Sequence, residues 1–175
     1  MEENRIHVQS RGELIDPLVV NFNAPAASLT DEKFEFDIDA DGRLDQVAML
    51  GEGSGYLALD KNGDGQINDG SELFGPSTNN GFQELAQFDQ DGSGWIDEGD
   101  DIFAGLRLWA SNGRGEMTLV GLGVAGVGAI YLGHLETPFA LKDENNEELG
   151  QVKRTGVFLR EDGVAGTVQE VDLVA

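Results

Sequence analysis

The sequence contains no cysteine, only two histidines, and just 11 lysines and arginines among its 175 residues. The absence of cysteine excludes disulfides and thiolate-bound zinc or iron–sulfur clusters, and two histidines are too few for a multi-histidine metal centre. No apolar run approaches the roughly 18 residues that a membrane helix requires. The first ten residues are charged rather than signal-like. Membrane insertion is therefore not expected.

Acidic residues are abundant by contrast: 33 Asp and Glu give a formal net charge of −22 at pH 7. This charge repels the phosphate backbone of nucleic acids and anionic membrane surfaces, so neither is an expected partner. It attracts cations instead. Hydrophobic residues make up 39% of the chain, which is enough to build a folded core. Whether a cation is bound depends on where the acids lie.

The chain is expected to have three parts. Residues 1–16 form a polar lead-in segment, residues 17–132 form a module that holds three acidic loops, and residues 133–175 form a β-rich part packed on the same core. Apolar and polar residues alternate repeatedly in the third part, with turn residues between the runs, which predicts an antiparallel meander.

The expected fold class is α+β, with β-hairpins and a C-terminal antiparallel meander around EF-hand-like calcium loops, and few short helices. One helix is predicted where Phe82, Leu85 and Phe88 recur at helical spacing after Asn80, a suitable N-cap. A second helical stretch is predicted at Ile102, after the last acidic loop.

The first acidic loop, Asp37–Asp45, has acids at positions 1, 3, 5 and 9. Its candidate calcium ligands are Asp37, Asp39, Asp41, the backbone carbonyl of Arg43, and Asp45. Calcium takes six to eight oxygen ligands from a chain that curls around it, and Gly42 permits the bend. Four acids within nine residues repel one another unless a cation lies between them. The alternative is a hairpin turn that carries acidic side chains without binding a metal ion.

The second acidic loop, Asp60–Glu72, matches an EF-hand loop through position 9. Its candidate ligands are Asp60, Asn62, Asp64, Gln66 and Glu72. The closing acid Glu72 comes one residue late, at position 13, and the extra residue still allows it to bind the ion with both oxygens.

The third acidic loop, Asp89–Asp100, is the nearest to the EF-hand pattern. Its candidate ligands are Asp89, Asp91, Ser93, the backbone carbonyl of Trp95, and Asp100. Because Asp replaces the usual bidentate Glu at position 12 and Ser93 is neutral, we expect modest affinity. The three loops together predict two to three bound Ca²⁺ ions. They lie too close in sequence for two sensor-type helix pairs, so calcium is expected to stabilise the fold rather than to open a groove.

A family resemblance rests on motifs that occur in order along residues 16–132. These motifs are Asp16-Pro17, Asp60–Gly65, Gly70–Gly75, Gly81-Phe82, Asp89–Asp100 and Leu106–Trp109. The sequence resembles the calcium-dependent modules associated with bacterial RTX proteins, among them the self-processing module that cleaves its own Asp-Pro bond. The resemblance implies an extracellular module that folds on binding calcium and belongs to a larger protein, whose other domains are its expected partners.

Three functions are open at this point. The leading prediction is a calcium-binding structural or interaction module stabilised by about three Ca²⁺ ions. The alternative is calcium-dependent self-processing, in which the Asp16 carboxyl attacks its own carbonyl carbon, forms a five-membered anhydride and expels the Pro17 nitrogen. Asp16 and Pro17 are catalytic candidates only in that case, and otherwise they begin a strand. A metal-dependent hydrolase is a weaker alternative.

The glycine-rich segment 121–126 lacks a βαβ context, so no nucleotide cofactor is expected.

Overall fold

A computed structural model describes residues 14–174 of the chain. The lead-in segment predicted for residues 1–16 therefore lies outside the described residues except for its last three. Within the described range the strands β1 to β11 are Leu14–Ile15, Leu18–Val20, Leu29–Phe36, Asp45–Leu50, Gly55–Leu59, Trp95–Ile96, Leu106–Ser111, Met117–Gly121, Val127–Lys142, Glu148–Arg160 and Ala165–Val174. One α-helix, α1, spans Gly81–Ala86, and two short 3-10 helices span Gly70–Glu72 and Asp101–Gly105.

Nine of the strands form one antiparallel sheet in the order β6-β9-β10-β11-β2-β5-β7-β8, with β1 also paired to β11. Strands β3 and β4 form a separate hairpin that carries the first acidic loop. Strand β9 runs through residues 132 and 133 without interruption, so the predicted boundary between the second and third parts falls inside a strand. No helix among residues 14–174 has the length and apolarity needed to cross a membrane.

The large sheet is covered on both faces. Successive residues of a strand point to opposite faces, and along β2 Val19 belongs to one buried cluster while Leu18 and Val20 belong to the other. The β3–β4 hairpin packs on the first face, where the ring of Phe36 lies 4.6 Å from the ring of Trp109. Helix α1 packs on the second face through Phe82 and Leu85, both buried.

The predicted α+β class is wrong, because 48% of the described residues are in strands and 9% in helices, and α1 is the one α-helix among them. Asn80 does cap α1, since its side chain accepts a hydrogen bond from the Gln83 N–H. After the third acidic loop, however, Ile102 lies in a single 3-10 turn. The helix cannot extend because strand β7 begins directly afterwards, with Leu106 paired to Leu59 in the sheet.

Candidate metal centres and the Asp16 cluster

The three acidic loops share one hydrogen-bonded frame. In each, the carboxylate at position 1 accepts bonds of 2.7–3.2 Å from the backbone N–H groups of positions 5 and 6. These sets are Asp37 with Asp41 and Gly42, Asp60 with Asp64 and Gly65, and Asp89 with Ser93 and Gly94. The position-6 glycines have φ values of 89°, 80° and 85°, in the left-handed region that a Cβ atom disfavours. The frame explains why glycine occurs at this position in all three loops.

The closing acid of each loop reaches back to the backbone N–H of position 2. Asp45 accepts from the Ile38 N–H at 3.3 Å, Glu72 from the Lys61 N–H at 2.9 Å, and Asp100 from the Gln90 N–H at 2.7 Å. Glu72 also accepts from the Asn68 N–H at 2.8 Å, and its late position is accommodated by the 3-10 helix Gly70–Glu72. The buried carboxylates of Glu72 and Asp100 therefore hold the two ends of their loops together.

Two of the loops gather carboxylates closely enough to hold a metal ion. The ligand atoms of Asp37, Asp39 and Asp45 lie within 4.8 Å of one another, and so do those of Asp89, Asp91 and Asp100. Among the described residues, the carboxylates of the second acidic loop do not form such a group. Carboxylate oxygens are the donor atoms that hard divalent cations prefer.

The remaining predicted ligands have other contacts. Asp41 lies 3.7 Å from the Arg43 guanidinium and accepts from the Arg43 N–H. In the second acidic loop, Asn62 donates to the Asn68 side chain, and Asp64 accepts from the Gln66 N–H. In the third, the Ser93 hydroxyl donates to the Trp95 carbonyl at 3.2 Å.

Repulsion between acids is greatest in the first acidic loop. Burial raises the pKa of Asp39, and the neighbouring charges of Asp45 and Asp41 raise it further. Burial also raises the pKa of Asp45, and the charges of Asp41 and Asp37 raise it further. Among the described residues, Arg43 is the one cation that pairs with a carboxylate of the three loops. A bound cation would relieve this repulsion.

The first and second acidic loops contact each other through their backbones. The Gly70 N–H donates to the Asp37 carbonyl at 2.8 Å. A Cβ atom on Gly70 would stand 1.7 Å from the Ile38 carbonyl oxygen, so only glycine fits this contact. Residues 70–75 thus begin against one acidic loop.

The same segment ends against the Asp16-Pro17 bond. The Leu18 N–H donates to the Phe74 carbonyl at 2.8 Å. Gly75 has a φ of 121°, and a Cβ atom there would lie 1.9 Å from the Asp16 carbonyl oxygen. Six residues of chain therefore connect the first acidic loop, through Glu72, to the Asp-Pro bond.

Asp16 is a buried carboxylate in a charged cluster. Its side chain is 1% exposed, and the Lys153 ammonium lies 2.7 Å from its Oδ2 atom. Lys153 occupies a β-bulge, where the register of β10 against β11 shifts, and bulges commonly redirect a side chain. Pro17 is fixed as well, because its carbonyl accepts from the Val171 N–H at 3.0 Å.

Asp172 lies directly across from Asp16. Strand β11 pairs with β1 and with β2, with Leu173 opposite Ile15 and Glu170 opposite Leu18. Both pairs have the same register, which places Asp172 opposite Asp16 on the same face of the sheet. Burial, together with the interaction with the Asp16 carboxylate, raises the pKa of Asp172 to about 8. Burial also raises the pKa of Glu170, whose carboxylate accepts from the Gly81 N–H at 2.7 Å and pairs with Arg154.

The sequence analysis did not identify the partners of Asp16. They are Lys153, Arg154, Glu170 and Asp172. One signal was available, since two acids alternate with the apolar Val171 and Leu173 in a segment predicted to be a strand. Their distance from Asp16 along the chain hides the pairing.

The fold and these sites define a β-rich, strongly acidic domain with carboxylate groups placed to hold metal ions. Residues 20–174 match the model of the SPM domain family, so the chain belongs to that family. Over 82 residues it is 33% identical to the iron-regulated protein FrpA of Neisseria meningitidis serogroup C. This alignment covers 42% of the chain and only 7% of FrpA.

Proposed function

We propose that this protein is a calcium-binding module whose fold is stabilised by two to three Ca²⁺ ions. The observation that carries the proposal is the hydrogen-bonded frame common to the three acidic loops. In the first and third loops, the ligand atoms of three carboxylates lie within 4.8 Å of one another: those of Asp37, Asp39 and Asp45, and those of Asp89, Asp91 and Asp100. In the second acidic loop, the ion would draw Asp60, Asp64 and Glu72 together.

Calcium would act on this module by stabilising its native state. An ion bound only by the folded chain at a free concentration 100 times its Kd adds about 2.7 kcal/mol per site to the free energy of unfolding. For a chain of this size that corresponds to roughly 5–10 °C in melting temperature per site. The contact of Gly70 with the first acidic loop makes the first two loops parts of one structural unit.

A calcium titration by calorimetry, with melting temperatures measured in calcium and in chelator, tests this function. We expect two to three ions per chain and a higher melting temperature with calcium. Asp89→Ala should remove one ion from the count. Glu144→Gln, in an exposed turn outside the loops, is the matched control and should change neither quantity. A chain that binds no calcium and melts equally in chelator would refute the proposal.

A second candidate function is calcium-dependent scission of the Asp16-Pro17 bond, and the environment of Asp16 favours it. The nucleophilic carboxyl is buried, its ammonium partner fixes one oxygen, and backbone hydrogen bonds hold Pro17 and Leu18, which follow the bond. A nucleophile fixed beside its own target gains from proximity. Attack on the Asp16 carbonyl carbon would release Pro17 and leave an anhydride that water opens.

Intact-mass measurement of the whole chain, before and after calcium is added, tests the second function. We expect two fragments whose masses correspond to cleavage between residues 16 and 17, and Asp16→Ala should abolish them. An intact mass at all calcium concentrations would reject scission and leave the calcium-binding function standing.

A further inference from the structure

This inference rests on the second candidate function and concerns the proton that the reaction requires. When the bond from the Asp16 carbonyl carbon to Pro17 breaks, its electron pair leaves on the proline nitrogen. A secondary amine is a poor leaving group unless it takes up a proton as the bond breaks. The site must therefore hold an acid close to the Asp-Pro bond at neutral pH.

Two buried oxygen atoms of the cluster have no hydrogen-bond partner among the described residues. They are Oδ1 of Asp16 and Oδ1 of Asp172, both buried. Asp16 is 1% exposed and Asp172 is 7% exposed. Two ionised carboxylates on facing strands cannot satisfy each other, because both only accept. If Asp172 is protonated, its hydroxyl can donate to Asp16, and both orphaned oxygens then belong to one hydrogen bond.

The charges of the cluster lead to the same result. Three acids face two cations: Asp16, Glu170 and Asp172 against Lys153 and Arg154. With all three acids ionised, the buried cluster would carry an uncompensated negative charge, which is unfavourable away from water. One proton on Asp172 balances the charges. The pKa of Asp172, raised to about 8 by burial and by the neighbouring Asp16, agrees with this count.

The other members of the cluster are poor proton donors. Lys153 is bound to Asp16, and this hydrogen bond raises the pKa of its ammonium, so it retains its proton. Arginine does not deprotonate in proteins. Glu170 is engaged by the Gly81 N–H and by Arg154, which leaves its carboxylate oxygens already bonded.

We propose that Asp172 is the general acid of Asp16-Pro17 scission, donating its proton to the Pro17 nitrogen as the bond breaks. The Asp16 carboxylate forms the new carbon–oxygen bond, the carbon–nitrogen bond breaks, and the nitrogen's electron pair takes the proton of Asp172. Water then opens the anhydride and leaves two carboxyl groups on Asp16. One water molecule is consumed, and no other reactant is needed.

The test compares scission rates of the wild-type chain, Asp172→Asn and Asp172→Glu with calcium between pH 5 and pH 9, measured by intact mass. Asparagine can donate a hydrogen bond to Asp16 but cannot deliver a proton. We expect Asp172→Asn to react at least about tenfold more slowly, since general acids contribute roughly 10²–10⁴-fold. The wild-type rate should fall as the pH rises through about 8, and the rate of Asp172→Asn should not show this decrease. Glu144→Gln should match the wild type.

The outcomes separate this inference from the function on which it rests. A wild-type chain that splits, with Asp172→Asn splitting at the same rate and with the same pH profile, would overturn the role of Asp172 alone. A wild-type chain that stays intact at every pH would reject scission itself, and the role of Asp172 with it. If Asp172→Asn fails to fold, judged by its melting curve, Asp172→Glu decides: a partly retained rate with a displaced pH profile supports the role, and an unchanged profile overturns it.

Discussion

Gly75 lies so close to Asp16 that a Cβ atom at position 75 would stand 1.9 Å from the Asp16 carbonyl oxygen. The residue that ends the Gly70–Gly75 segment is thus in contact with the first residue of the Asp-Pro bond. Glu72, in the same segment, closes the second acidic loop. A displacement of this loop would be passed to the Asp-Pro bond through three residues.

Gly75→Ala should destabilise the protein by about 3 kcal/mol or more. The substitution forces a φ of 121° on a residue with a Cβ atom and places that atom against the Asp16 carbonyl. Urea unfolding at fixed calcium measures the loss. Gly113→Ala is the matched control, since Gly113 has a φ of 84° but no atom within 4 Å of its added Cβ. It should lose about 1 kcal/mol, for backbone strain alone. Equal losses in both variants would argue against the contact with Asp16.

Glu72→Gln should lower calcium binding at the second acidic loop and destabilise the chain even without calcium. The glutamine amide nitrogen cannot accept from the Lys61 and Asn68 N–H groups as both oxygens of Glu72 do. One part-buried N–H loses its partner, at a cost of about 1–3 kcal/mol. Calorimetry in calcium and urea unfolding in chelator measure the two effects. Glu98→Gln, an exposed change in the third acidic loop, should leave both unchanged. Full ion stoichiometry and affinity in Glu72→Gln would show that Glu72 is no ligand.

Lys153→Met should destabilise the native state by about 2 kcal/mol. The change keeps most of the side-chain stem and removes the charge that pairs with buried Asp16. Removing one partner of a buried ion pair costs about 3–5 kcal/mol, and we expect less because Lys153 is 34% exposed and water screens the pair. Lys142→Met, at an exposed position of the same sheet, should change stability by less than about 0.5 kcal/mol. Similar values for both variants would mean that the pair contributes nothing.

The stability of the wild-type chain should fall relative to Asp172→Asn as the pH rises. The pKa of Asp172 is raised from 3.8 to about 8, so between these values the native state holds a proton that the unfolded chain has lost. Its contribution to the free energy of unfolding is therefore complete below pH 4 and is lost as the pH rises through about 8.

Urea unfolding of both chains at pH 5, 7 and 9 measures this difference. The other charged groups of the cluster, Asp16, Lys153, Arg154 and Glu170, are common to both chains, so their own titration largely cancels. A difference that does not change with pH would show that Asp172 is ionised throughout the range.

The acidic loops could be predicted from sequence because their frame is local. Each hydrogen bond from position 1 to positions 5 and 6 joins residues at most five apart, and glycine at position 6 follows from the bend. The fold class could not be predicted in the same way. Ile102 and Phe103 have helical spacing, but the pairing of β7 with β5 leaves room only for a 3-10 turn.

The Asp16 cluster depends on contacts that sequence spacing does not encode. Lys153 reaches Asp16 from 137 residues away, and only the bulge in β10 redirects its side chain. Asp172 appears in the sequence as the polar residue of an alternating strand. Its burial follows from β11 lying between β10 and β2 in the middle of the sheet.

The place of β11 in the sheet affects the order in which the molecule is made. Val171 and Asp172, which complete the surroundings of Asp16 and Pro17, are synthesised more than 150 residues after them. Pairings between such distant segments form slowly and late in folding. A chain still emerging from the ribosome therefore has its Asp-Pro bond in an incomplete environment, and the charged cluster is assembled only after translation has passed β11.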